Sequence, residues 1–105
     1  MDIYQVVYAP EAEAQLLDLF EYIASAAGDG YNAAMFADQL TRFCDGFERF
    51  PKRGDARDDI RPGVRVTNYE GRTVIAFTVD DHALRVEILG IFYGGQDYAR
   101  QLSHA

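Results

Sequence analysis

The chain has little of what several common chemistries require. It holds one cysteine, Cys44, in 105 residues, which excludes an internal disulfide and any cysteine-built zinc cage and fits a reducing cytoplasm. Set among apolar residues, Cys44 reads as a small core side chain. Histidine is almost as scarce. His82 falls in a turn-like stretch and His104 lies next to the end, and neither has a partner at metal-ligand spacing, so no metal or other cofactor is expected. Nor is there a Gly-x-Gly-x-x-Gly run or a phosphate loop with its Lys-Ser/Thr, and no serine or cysteine stands in a nucleophile motif. No long apolar run and no basic-then-apolar start follows Met1-Asp2-Ile3; neither a membrane span nor a signal peptide is expected.

Positive charge is in short supply too, with 10 basic residues against 17 acidic ones and a net charge of −7. That balance argues against general or sequence-specific affinity for nucleic acid, which requires phosphate neutralisation by Lys and Arg. The deficit is uneven. Residues 1–48 carry nine acids and only Arg42, net −8, whereas residues 49–72 carry Arg49, Lys52, Arg53, Arg57, Arg61, Arg65 and Arg72 against four acids, net +3. Because Asp55, Asp58 and Asp59 are interleaved with these bases, the segment reads either as a salt-bridged, solvated loop or as a local anion-facing patch.

What is present describes one domain, residues 1–105. Ile3 to Tyr8 is β-branched and aromatic and predicts a strand stopped by Ala9-Pro10. Pro10 suits the first position of a helix, with Glu11 and Glu13 favoured by the dipole in its first turn. Ala12, Leu16, Phe20, Ile23 and Ala27, with Leu17 and Ala24 beside them, mark its apolar face. Gly28-Asp29-Gly30 predicts a reversal into a second helix from about Tyr31 or Asn32 to Phe50, with Phe36, Leu40, Phe43, Phe47 and Phe50 as a core stripe. Pro51 stops it.

Residues 51–63 read as a long charged loop, of the kind that is often functional. Val64–Tyr69, Arg72–Val79 and Leu84–Tyr93 then predict three strands joined by Glu70-Gly71 and by the stretch around His82. Residues 96–102 suit a short terminal helix or a tail. The whole is an α+β domain: an N-terminal strand, and a two-helix antiparallel hairpin packed on one face of a mostly antiparallel sheet that ends in a three-stranded meander and short tail. Thr73–Val79 and Val86–Phe92 are apolar at nearly every position. Their second face therefore needs its own cover, either the C-terminal segment or a partner.

The run Pro62-Gly63-Val64-Arg65, the strand Thr73-Val74-Ile75-Ala76-Phe77 and the close from Val86 through Tyr93-Gly94-Gly95-Gln96-Asp97-Tyr98 resemble the C-terminal half of toxins of the RelE/ParE superfamily. The Pro-Gly-x-Arg step and the Tyr-Gly-Gly-Gln-Asp run resemble the ParE branch most, and the hairpin matches in size and place. The resemblance implies a bacterial type II toxin, associated with plasmid stabilization, that is silenced in a hetero-oligomer by a cognate antitoxin contributing a helix and an added strand. For the ParE branch it implies poisoning of DNA gyrase and no enzymatic activity. For the RelE branch it implies ribosome-dependent mRNA cleavage, with Arg65, Arg85, Tyr93 and Tyr98 as its residues here.

Two features favour the gyrase reading. Metal-free RNA cleavage needs a base, an acid and cations on the phosphorane, yet no Arg or Lys follows Tyr93 until Arg100. The acidic chain also suits ribosomal RNA poorly. Arg65 does not discriminate, since both branches carry it and a structural ion pair would explain it equally. A degenerate, non-toxic member is the third alternative. Candidates for antitoxin or target contact are Arg53, Arg57, Arg61, Arg65, Tyr93 and Gln96.

Overall fold

Ala9-Pro10 divides the first strand from the first helix in the computed structural model, which describes residues 3–27, 30–94 and 96–103. Strand β1, Gln5–Tyr8, is followed by helix α1, Pro10–Ala27, and helix α2, Gly30–Asp45. The expected reversal lies outside the described residues at Gly28 and Asp29, and nothing is described of the Ala27 side chain. After α2 come β2, Asp55–Ala56; β3, Arg65–Tyr69; β4, Thr73–Asp80; β5, Arg85–Tyr93; and α3, Tyr98–Ser103. The sheet order is β1-β5-β4-β3-β2. Only β1 pairs in parallel, with β5, because α1 and α2 carry the chain back across the sheet before β5 is laid down.

Two expectations about the helices are corrected. The second helix does not run to Phe50: α2 ends at Asp45 and tightens into a 3₁₀ turn at Gly46–Glu48. Pro51 disfavours helical geometry at the residue before it, so Phe50 leaves the stripe and is 67% exposed. On α1, Leu17 is exposed, and the buried position is Leu19. The inward stripe is Ala12, Leu16, Leu19 and Ile23.

Residues 51–63 are not a structureless loop. Asp55 and Ala56 pair with Val66 and Arg65 as an edge strand. Both are exposed, so no apolar alternation announced them. Gly54 permits that pairing: its φ is +76°, and a Cβ there would fall 2.2 Å from the Val66 carbonyl oxygen.

The main core lies between the hairpin and the sheet. Leu40, Cys44 and Phe47 of the second helical stretch meet Ile75, Phe77, Val86 and Ile88, with the Phe47 and Phe77 rings 4.4 Å apart and the Phe43 and Tyr69 rings 5.1 Å apart. Cys44 is a core residue, and burial pushes its thiol up to about 11. The Tyr8 hydroxyl is buried beside it, and burial raises it far above the ordinary tyrosine range. A second, smaller core covers part of the other face, where Val64, Val66, Ala76 and Phe92 pack with Leu102 of α3. The C-terminal segment thus supplies part of the cover that the apolar strands required.

Among the described residues no helix is long and apolar enough to cross a membrane.

Candidate functional site

Strand β5 keeps apolar side chains on the hairpin face along its whole length by means of a bulge. Ala76 pairs with Gly90 but Phe77 with Ile88, leaving Leu89 as the extra residue. The side-chain alternation therefore flips. Val86 and Ile88 before the bulge and Ile91 and Tyr93 after it all face the hairpin, while Leu89 and Phe92 join the smaller core. A bulge leaves a backbone group unpaired, and α1 supplies the partner: the Ile91 N–H donates to Gln15 Oε1 at 2.7 Å. Gly90 is required at this crossing, since a Cβ would sit 2.6 Å from the Phe92 ring.

Beyond the bulge, the end of β5 and the near side of α1 enclose a cleft of about 410 Å³. Leu19 and Ile91 form its buried floor. Its walls are Gln15, Asp18 and Tyr22 from α1, with Arg72, Tyr93, Gly94 and Gln96 opposite. Gln96 holds the turn closed, its Oε1 accepting from the Tyr93 N–H at 3.0 Å, and the Gly94 N–H donates to the Arg72 carbonyl at 3.0 Å. The Arg72 guanidinium lies 5.7 Å from the Tyr93 ring centre, and Tyr22 meets the same ring at 6.1 Å.

The predicted arginines fall elsewhere. Arg65 donates to the carbonyls of Lys52, Arg53 and Gly54 at 2.7–3.3 Å; it clamps a loop onto the sheet and forms no ion pair among the described residues. Arg53 stacks 5.0 Å from the rings of both Phe43 and Phe47. Arg57 grips both carboxylate oxygens of Asp59 and donates to the Tyr98 hydroxyl at 3.2 Å, which holds the Asp59 carboxyl below its usual value. The Asp58 carboxylate accepts from the Gly63 N–H. Arg61 makes no side-chain hydrogen bond or ion pair among the described residues. Arg53, Arg57, Asp58, Asp59 and Arg65 are therefore committed to one another or to the backbone, and Lys52 to Asp81.

The residues named for RNA cleavage do not converge. Arg85 opens β5 and Tyr93 closes it, and the intervening eight residue steps place them about 26 Å apart at ~3.3 Å per residue. Arg85 instead shares a polar surface with Gln5, Thr78, Asp80 and Glu87. Tyr98 packs with the smaller core, on the opposite face of the sheet from Tyr93. Of the predicted site residues, only Tyr93 and Gln96 share the cleft. The sequence reading missed Arg72, Gln15, Asp18 and Tyr22. A helical stripe through Gln15, Asp18, Leu19 and Tyr22 was the available signal, obscured by choosing Leu17 over Leu19 as the inward residue. Among the described residues, no group of three or more His, Cys, Asp or Glu is placed to hold a metal ion.

Residues 6–98 match the family model described as ParE toxin of type II toxin-antitoxin system, parDE. This chain belongs to the ParE toxin family. Solved structures carry the same fold at low identity. A chain from the chromosomal ParDE toxin-antitoxin system of P. aeruginosa superposes with a TM-score of 0.73 at 18% identity, covering 87% of this chain and 96% of that one. A chain of the RelBE2 toxin-antitoxin complex of Mycobacterium tuberculosis gives 0.66 at 20%, covering 91% and 97%. A mutant of E. coli toxin RelE in the free state gives 0.68 at 10%, covering 97% and 95%. No curated protein matches the chain. As a ParE-family toxin within the RelE/ParE superfamily, the chain has the expected α+β fold, including the hairpin on one face of a mostly antiparallel sheet.

Proposed function

We propose that this toxin acts in the cytoplasm by binding DNA gyrase and trapping its cleaved-DNA state, without enzymatic activity of its own. The disposition of the arginines carries the reading. A metal-free ribonuclease must bring cations, a base and an acid to one phosphate, whereas here Arg57 and Arg65 are tied into the architecture and Arg85 stands a strand's length from Tyr93. The family match favours the same side. Purified toxin is expected to inhibit gyrase supercoiling and to accumulate cleavage complexes. Untouched supercoiling with no cleavage complex would sink the reading.

A cognate antitoxin is the partner that silences it. The similar structures come from a ParDE toxin-antitoxin system and a RelBE2 toxin-antitoxin complex, and this chain offers a nearly wholly apolar groove along the hairpin between Tyr8, Leu16, Leu17, Phe20, Ala37 and Thr41. An amphipathic helix suits such a groove, and an added strand suits an open sheet edge, β1 or β2. Because the toxin is itself acidic, this contact rests on apolar burial and local pairs with exposed bases. Affinity is expected to change little between low and physiological salt, and a steep loss would contradict that.

A further inference from the structure

We propose that the cleft between α1 and the end of β5 is where the toxin grips its target protein, taking a segment that sets an acidic side chain on Arg72 and an apolar one on the floor of Leu19 and Ile91. This rests on reading the chain as a toxin that acts by binding. Among the arginines of residues 49–72, Arg49, Arg61 and Arg72 make no side-chain hydrogen bond or ion pair with a described residue, and of these only Arg72 lines the cleft. Arg53, Arg57 and Arg65 are held by rings, a carboxylate or carbonyls, while the Arg72 guanidinium lies on the Tyr93 ring and makes no hydrogen bond or ion pair with any described residue. A guanidinium resting over a ring, here 5.7 Å from its centre, is partly ordered for a two-pronged grip on a carboxylate. Tyr22, 60% exposed, extends the same surface, and tyrosine and arginine beside an apolar floor are the side chains that anchor protein interfaces.

The occupant is a protein segment rather than a nucleic acid. Asp18 shares the cleft, and α1 carries Glu11, Glu13, Asp18 and Glu21 with no basic residue, so a polyanion meets repulsion and a single cation. It is also distinct from the antitoxin groove. At 100° per residue, Gln15, Asp18 and Tyr22 lie roughly 165° around α1 from Glu13, Leu17 and Phe20.

The test expresses the wild type, Arg72→Ala and Tyr22→Ala without antitoxin, with circular dichroism as the folding check, and measures antitoxin affinity by calorimetry. Both variants are expected to raise colony survival at least about ten-fold while antitoxin affinity stays within about two-fold. Arrest equal to wild type in both overturns the proposal. So does an equal loss of antitoxin affinity, which assigns the cleft to the antitoxin, or wild-type binding of an oligonucleotide that the variants lose. Gyrase cleavage complexes scored alongside judge the target separately: arrest without them rejects gyrase, and the survival readout still decides the cleft. A wild-type chain that leaves growth unaffected overturns both.

Discussion

The two faces of the sheet are built to different standards. Against the hairpin, Phe47, Phe77, Leu40, Ile75 and Ile88 are fully buried and their aromatic neighbours interlock. On the other face, cover is partial: a six-residue helix lays Leu102 over Phe92 and Ala76, and the surface around Arg85 and Glu87 stays open. So short a helix has no stability of its own in water. It persists through Leu102 and through the Arg57–Tyr98 contact. One face therefore carries the larger core, while the other is covered in part by one short helix.

Substitutions should separate the two. Phe47→Ala removes the ring at the centre of the larger core and is expected to lower global stability by about 3–5 kcal/mol in urea unfolding; a loss under ~1 kcal/mol would show that the hairpin face is not the principal core. Leu102→Ala should cost about 2 kcal/mol, at the low end for a buried leucine, with amide exchange speeding first in residues 98–103. Uniform acceleration across β4 and β5 would instead mean that α3 is integral to the main cooperative unit. Tyr98→Phe deletes only the hydroxyl that accepts from Arg57 and should cost no more than about 1 kcal/mol, again read as faster exchange in α3.

The smallest effect is electrostatic. Lys52, and then Tyr4, hold the Asp81 carboxyl below its ordinary 3.8. A depressed carboxyl contributes stability that is present above the unfolded value and is lost as pH falls through the folded one. Asp81→Asn is therefore expected to lower Tm slightly at pH 7 and to flatten the acid limb below pH 3.8. An unchanged acid limb would leave the Tyr4–Asp81–Lys52 contact without energetic weight.

Much of the fold was legible because single residues act as local signals. Pro10 and Pro51 bracket the helical region, Glu70 and Gly71 sit at positive φ in the β3–β4 turn, and the apolar run of β5 announced a second covered face. What stayed hidden was non-local. The bulge at Leu89 depends on Gln15, 76 residues from Ile91 in sequence, and the β2 edge depends on Gly54 meeting Val66. Of the site, Tyr93 and Gln96 were legible from the Tyr-Gly-Gly-Gln-Asp run. Arg72 was passed over because a sequence reading counts charges and cannot tell which are already held; the loop arginines that drew attention are mostly held.

On the proposed function, the arginines of this toxin serve its architecture and a protein contact, not RNA cleavage. Inducing the chain without antitoxin while following transcript integrity and the DNA-damage response in the same cells tests it most directly. Intact transcripts with a rising damage response are the expected result. Cleaved transcripts with no damage response would contradict it.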